Sequence, residues 1–215
     1  MKKIPLIIIL LGITVITIKL SQKYKKQVSV IKKNEVPANK RNEENIIGIR
    51  LNNHVNNIKV FTEKKVKFNK DIAFLIDMKI NSGKNRFFVY DLKKNMIIDK
   101  GLVAHGSGSE TKQPGQLLFS NVKSSNCSSI GKYSIGVSYS GKFGKAYKLY
   151  GLDSTNSNAS IRDIVLHNYY AVPYLEQASE ICNSKGCPMV NKNFFERLEK
   201  IIDNSNKSIL LEIYY

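Results

Sequence analysis

Apolar and polar positions along this chain follow two different spacings. Between residues 46 and 61, apolar side chains recur every three or four positions, at Leu51, Val55, Ile58 and Phe61. This spacing predicts an amphipathic lead helix, assigned to residues 46–70, with one apolar face against the rest of the protein. A second helical stripe predicts one late helix over residues 193–203, with apolar positions Phe194, Phe195, Leu198, Ile201 and Ile202.

From Asp71 onward the spacing changes to short apolar runs separated by polar turns, which predicts β-strands. The predicted strands cover residues 72–76, 86–90, 96–98, 102–104, 133–137, 148–150, 163–166 and 209–214. Many short strands with glycine-containing turns and one late helix indicate a mainly β domain with some α, largely antiparallel, over residues 71–215. A chain of 215 residues can bury one sizeable core of this kind.

Residues 1–20 predict a signal anchor or transmembrane segment. An unbroken apolar run from Ile4 to Ile18 follows Met1-Lys2-Lys3, as in an export signal. No small-x-small cleavage site follows it, which favours an uncleaved anchor. Residues 21–45 are polar and rich in Lys and Asn. They predict a tether, because they carry too little apolar surface to fold alone.

The net charge of +17 implies attraction to polyanions such as phospholipid head groups, wall polymers or nucleic acid. We expect no nucleic-acid partner, because no recognition motif is present and the densest basic run lies beside the apolar segment. Lysines after that segment outnumber those before it. The positive-inside rule alone would therefore place the body of the protein in the cytoplasm.

Three cysteines, Cys127, Cys182 and Cys187, make an odd count, so an exported form keeps at least one thiol free or paired elsewhere. The spacing is compatible with a Cys127–Cys182 disulfide that leaves Cys187 free. It is equally compatible with a Cys182–Cys187 disulfide that would switch the site off.

Cys187 and His167 are the candidate nucleophile and base. Cys187 lies in the polar loop Ser184-Lys185-Gly186-Cys187-Pro188, and His167 ends the apolar run Ile164-Val165-Leu166. A neighbouring imidazole is a common means of activating a thiol, and a glycine lets substrate and amide groups approach closely. Lys185 and the N-terminus of the late helix are both expected to favour the thiolate. The plainer interpretation is a packed, inert thiol and a structural histidine.

Five motifs occur in the order seen in a known family: residues 103–109, 131–133, 151–153, 162–167 and 184–190. On these motifs the chain resembles the murein L,D-transpeptidase catalytic domains of the YkuD-like cysteine transpeptidases. The resemblance covers residues 70 to 215 and implies a mixed β-sandwich or barrel domain. It departs from the better-known members at Met189, where an arginine is usual, and at Asn168, where a glycine is usual.

The resemblance implies roles for particular residues. Cys187 would be the nucleophile, His167 the general base, Ser184 the group that holds the imidazole, and the amides around Gly186 and Cys187 the oxyanion hole. The residues expected to line the site or bind substrate are His105, Arg162, Lys185 and Tyr169. Arg162 or Lys185 would replace the missing arginine in gripping a substrate carboxylate.

The implied reaction is a cysteine acyl-enzyme exchange on peptidoglycan tetrapeptide stems that forms cross-links between them. The alternatives are an L,D-carboxypeptidase of the same fold and a non-catalytic, membrane-tethered wall-binding module. Sortase-like and papain-like enzymes fit less well, because the former need a later arginine on a strand and the latter place Cys before His. Neither a metal nor another cofactor is expected, since the cysteines and histidines lack zinc-ligand spacing.

Action on wall peptides implies a cell-envelope protein with its catalytic domain on the extracytoplasmic side, against the positive-inside argument. The expected partners are peptidoglycan stem peptides and, through residues 1–20, the cytoplasmic membrane. The oligomeric state is left open.

Overall fold

A computed structural model describes residues 19–23, 25–26 and 38–215 of the chain, with side chains of the helix that begins at residue 38 described from residue 41. The predicted membrane segment, apart from residues 19 and 20, lies outside the described residues, and so do residues 24 and 27–37 of the predicted tether. Within the described ranges, no helix combines the length and the apolar character that crossing a bilayer requires. The predicted segment boundaries stay predictions.

The long helix α1 spans Ala38–Glu63. It begins inside the predicted tether and ends before residue 70, because the strand that follows starts at Phe68. Leu51, Val55 and Ile58 are buried in one apolar cluster with residues of the sheet. The apolar spacing in the sequence therefore marked the packed stretch of the helix, whereas its polar first turns had no such signal.

In the part of the chain that the structure describes, nine strands form one hydrogen-bonded sheet in the order β3-β2-β1-β9-β5-β6-β7-β8-β4. Their bounds are β1 Phe68–Asp77, β2 Phe87–Asp91, β3 Met96–Gly101, β4 Val103–Ala104, β5 Gly131–Gly141, β6 Gly144–Gly151, β7 Val165–Asn168, β8 Met189–Val190 and β9 Ser208–Tyr214. Only the pairs β1–β9 and β7–β8 are parallel. The predicted mainly β fold with few helices is confirmed.

The sheet curls strongly, and its strand order shows why. β3 and β4 are its two edges, yet Leu102 alone separates them along the chain. Residues two apart lie no more than about 7 Å from each other, so the two edges must approach. Within the sheet, β4 pairs with β8, and β8 pairs on its other side with β7.

Neighbouring positions of β1 belong to two different apolar clusters. On β1, Phe74 and Ile76 belong to the larger cluster, whereas Ala73 and Leu75 pack with α1. The larger cluster includes the late helix α2, Lys192–Asp203, through Phe194, Phe195 and Leu198. The period of two in a strand sends neighbouring side chains to opposite faces, so both faces of this sheet are covered.

The sequence analysis missed β8, because a two-residue apolar step after Pro188 has no measurable period. β8 leads directly into α2, whose N-cap residue Asn191 accepts a hydrogen bond from the amide of Asn193 at 2.9 Å. The cysteine loop before β8 is therefore held at its far end by a strand and a capped helix.

Candidate active site

A cavity of about 420 Å³ opens beside the ends of β7 and β8. The β5–β6 turn, the end of β7 and the loop before β8 supply its walls. Its lining residues are Ser107, Phe143, His167, Tyr169, Asn183, Ser184, Lys185, Cys187 and Met189. Cys187 and His167 thus line the same cavity, although they are 20 positions apart in the sequence. Parallel pairing of β7 with β8, with His167 opposite Met189, produces this arrangement.

The His167 imidazole is anchored by one nitrogen only. Its Nδ1 lies 2.9 Å from the backbone oxygen of Asn168. A carbonyl oxygen can only accept, so Nδ1 carries the proton and Nε2 has a free lone pair. Nε2 has no hydrogen-bond partner within the described part of the chain. Burial lowers the pKa of His167 below its ordinary 6.5, and the hydrogen bond to Asn168 opposes this only partly. The ring is therefore neutral at pH 7, in the tautomer that a general base needs.

Phe143 covers the His167 ring. The two ring centroids are 5.3 Å apart and the planes differ by 16°, a stacked arrangement. Phe143 also meets Tyr169 edge-on at 5.4 Å. Phe143 comes from the tight turn between β5 and β6, a segment that the sequence analysis left unassigned. Phe143 is 46% exposed at the tip of this hairpin. The signal available in the sequence was an aromatic residue between two glycines of a tight turn, where an apolar ring suggests a contact.

The Cys187 thiol is half-buried and neutral at pH 7. Burial is the largest cause that raises its pKa above the ordinary 9.0, whereas a backbone hydrogen bond from Val165 and the charge of Arg162 lower it less. Its Sγ donates a long hydrogen bond, 3.6 Å, to the backbone oxygen of Asp163. The expectation that Lys185 and a helix N-terminus would favour the thiolate is wrong. Lys185 is exposed, and α2 begins only at Lys192, beyond Pro188 and β8.

Gly186 shapes the loop before the cysteine. Its φ of +112° is one that side-chain-bearing residues rarely adopt, and a Cβ there would lie 2.7 Å from the backbone oxygen of Cys127. Its amide donates to Ser184 Oγ at 3.0 Å. In the described residues the amide of Cys187 has no acceptor. Of the two amides predicted to form the oxyanion hole, that of Cys187 is free to donate to a substrate, whereas that of Gly186 already donates to Ser184.

In the described part of the chain Ser184 makes no hydrogen bond to the His167 imidazole, which is the role that the resemblance implied. Its hydroxyl caps the Gly186 amide, its own amide donates to the backbone oxygen of His105 at 2.8 Å, and its backbone oxygen accepts from Ser107 at 2.8 Å. The neighbouring carbonyl of Asn168 holds the imidazole instead. Ser184 is a brace of the cysteine loop.

His105, predicted to line the site, lies behind it. Its side chain is 2% exposed and sits between Arg86 and Glu110. Burial and the Arg86 charge lower its pKa below 6.5, and Glu110 counteracts them only partly. Neither Arg86 nor Glu110 was singled out in the sequence, because ordinary charged residues carry no local signal of burial.

Arg162 also lies outside the cavity. It donates hydrogen bonds to the backbone oxygens of Ser120 and Cys127 and to Ser129 Oγ. It therefore braces the loop behind Gly186 rather than facing a substrate carboxylate. Of the two cations proposed for that carboxylate, only Lys185 lines the cavity. All three cysteines are free thiols, so neither of the two compatible disulfides is present.

The sequence matches the L,D-transpeptidase catalytic domain over residues 43–213, most of the chain. The chain belongs to the L,D-transpeptidase catalytic domain family. No curated protein matches the sequence at a significant level.

Solved structures with a related arrangement are distant. They include Ldtfm as its avibactam carbamoyl enzyme (8% identity, 68% of this chain and 50% of that chain covered, TM-score 0.39). An L,D-transpeptidase from Mycobacterium smegmatis shares 10% identity, with 67% of this chain and 59% of that chain covered and a TM-score of 0.38. The helical cell shape determining protein Pgp2 from Campylobacter jejuni shares 13% identity, with 66% of this chain and 48% of that chain covered and a TM-score of 0.40. The chain thus spans about half to three-fifths of their length.

Proposed function

We propose that this protein is a cysteine L,D-transpeptidase that cross-links peptidoglycan tetrapeptide stems through a thioester on Cys187. The observation that carries the proposal is the joint cavity of Cys187 and His167, in which the imidazole keeps Nε2 unpaired. Membership of the L,D-transpeptidase family supports the choice of substrate and reaction. It also supports an extracytoplasmic location at the cell envelope.

In the acylation step, Nε2 of His167 takes the thiol proton as Sγ attacks the carbonyl carbon of the third stem residue. The free amide of Cys187 donates to the oxygen on which negative charge develops. The bond to the terminal D-Ala then breaks, and the amine that leaves takes the proton from His167. One difficult amide exchange is thereby divided into two easier steps.

In the second step, an amine of a neighbouring stem attacks the thioester. A new C–N bond forms, the C–S bond breaks, and the amine proton passes through His167 back to the thiol. With water in place of the amine, the same site would act as a carboxypeptidase. Phe143, Tyr169 and Met189 line the cavity, which supports the transpeptidase because apolar walls beside the thiol reduce water access to the thioester.

The test is covalent capture of the nucleophile. The full-length chain is incubated with a carbapenem, which acylates the cysteine in this family, and its mass is measured. We expect a single adduct on the wild type that is absent in Cys187→Ala and retained in Cys127→Ala and Cys182→Ala. An adduct that survives Cys187→Ala, or none on the folded wild type, would reject the proposal. Products from tetrapeptide stems, with and without an acceptor amine, then separate cross-linking from hydrolysis.

A further inference from the structure

A chain of polar contacts behind the cavity is left unused by the proposed chemistry. It begins at Arg86, which is 1% exposed. The Arg86 guanidinium donates to the backbone oxygens of Val103 at 2.8 and 3.0 Å and of Ile80 at 3.1 Å. Its Nη2 also lies 2.8 Å from Nδ1 of His105. A guanidinium can only donate, so Nδ1 of His105 is the acceptor and the ring proton of His105 is on Nε2.

The proton on Nε2 of His105 points to Glu110. The distance from Nε2 to Glu110 Oε1 is 2.6 Å, and the same oxygen accepts from Nδ2 of Asn183 at 3.1 Å. Asn183 lines the cavity. The contacts therefore run without a break from a buried guanidinium to the wall of the site.

His105 also holds the cysteine loop through its backbone. Its carbonyl oxygen accepts the amide of Ser184 at 2.8 Å, and Ser184 in turn accepts the amide of Ser107 at 2.8 Å. Asn183 and Ser184 are neighbours, and Cys187 follows after three further positions. His105 thus holds the start of the cysteine loop in two ways: its carbonyl accepts from Ser184, and its side chain contacts Glu110, which holds Asn183.

We infer that Arg86, His105 and Glu110 form a positioning chain that sets the cysteine loop against His167, with Glu110 as the link to Asn183. The inference rests on the proposed function, because it assigns the chain to a thiol that reacts.

The geometry favours this role over a plain stabilising ion pair. A buried Arg–Glu pair would join directly, since direct contact best compensates the loss of hydration. Here a neutral imidazole separates the two charges, and Glu110 is 39% exposed and contacts Asn183, which lines the cavity. Its carboxylate is placed to hold Asn183. Because Asn183 gives its Nδ2 to Glu110, its Oδ1 is the atom left to accept a hydrogen bond from an N–H of a bound peptide.

The test compares Glu110→Ala with Glu110→Gln in the full-length chain. A glutamine oxygen accepts the same two hydrogen bonds without the charge, so it should rescue the geometry. We expect Glu110→Ala to lower the first-order rate of carbapenem acylation about tenfold or more, whereas Glu110→Gln stays within about threefold of wild type. Amide hydrogen exchange of residues 183–187 should quicken in the alanine variant only. Glu196→Ala, an exposed acid on α2, is the matched control.

Two results would overturn the inference: an alanine variant that exchanges and acylates like wild type, or a glutamine variant as impaired as the alanine variant. The exchange measurement needs no ligand. If the wild type forms no carbapenem adduct, the proposed function fails, and the exchange contrast still decides whether the positioning chain exists.

Discussion

His167 and His105 flank the same short strand, yet their imidazoles are used differently. β8 lies between β7, which carries His167, and β4, which ends just before His105. Nδ1 of His167 donates to the Asn168 carbonyl, whereas Nε2 has no partner in the described residues and the ring lines the cavity. His105 has both nitrogens engaged, by Arg86 and by Glu110. Burial is the main reason that both have a lowered pKa. If the proposed function is right, an unpaired nitrogen, rather than a shifted pKa, distinguishes the proposed base His167 from the buried His105.

The strongest way to break this comparison is His167→Ala. Loss of a general base slows proton transfer, so we expect the rate of carbapenem acylation at Cys187 to fall about 10²- to 10⁴-fold. Thermal unfolding should show a folded protein. Single-turnover mass spectrometry measures the rate. If His105→Ala lost as much acylation while still folded, and His167→Ala lost none, the two assignments would have to be exchanged.

His105→Ala should also lower stability. It removes one acceptor of the buried Arg86 and one donor to Glu110, and an unmet buried polar group costs about 1–3 kcal/mol. Chemical denaturation measures the free energy of unfolding. His167→Ala is the matched control, because it leaves no buried charge without a partner. A change no larger than that of the control would show that the Arg86 contact contributes little.

The pH dependence sharpens the comparison further. A histidine whose folded pKa lies below 6.5 binds fewer protons in the folded than in the unfolded state. Stability is then complete above pH 6.5 and is lost as the pH falls below it toward the folded pKa. We expect the free energy of unfolding to decline as the pH falls below about 6.5, with a shallower decline in His105→Ala. Equal slopes in both proteins would contradict this.

The thiol should titrate separately. Because burial raises the pKa of Cys187 above 9.0, iodoacetamide alkylation of the Cys187 peptide should rise through a midpoint above pH 9. Peptide mapping separates this signal from those of Cys127 and Cys182. A midpoint below about pH 7 would instead indicate a preformed thiolate–imidazolium pair, and the neutral pair described above would be wrong.

The smallest effect is expected for Phe143→Ala. Loss of the ring stacked on His167 removes about 0.5–1.5 kcal/mol of ring contact, so acylation should slow about two- to tenfold. Phe143→Tyr keeps the ring and should restore most of the rate. An unchanged acylation rate in the alanine variant would show that the stacked Phe143 ring does not contribute to the action of His167.

Much of the fold was predictable because the relevant signals are local. The stripe at Phe194, Phe195 and Leu198 predicted α2 to within one residue at its start. The mainly β class followed from the apolar runs. β8 escaped because two residues cannot show a period, and the first turns of α1 escaped because they lack apolar positions.

The sequence predicted several residues that line the candidate site, but it predicted few of the contacts that these residues make. Cys187, His167, Lys185 and Tyr169 do line one cavity. His105 and Arg162 were placed in the site and instead brace it from behind. Phe143 and Glu110 were missed, because neither residue type marks its role without knowledge of its neighbours.

The amino-acid sequence by itself determined which segments become strands and helices, which family the chain belongs to, and that a thiol follows a histidine with a glycine beside it. Only the tertiary structure decided which imidazole nitrogen stays unpaired, that the thiol is neutral, and that His105 joins Arg86 to Glu110. Periodicity depends on residues a few positions apart, whereas proton positions depend on contacts such as His105 with Arg86, 19 residues away, and Glu110 with Asn183, 73 residues away. Such contacts exist only once the sheet has formed and brought β4, β8 and β7 together.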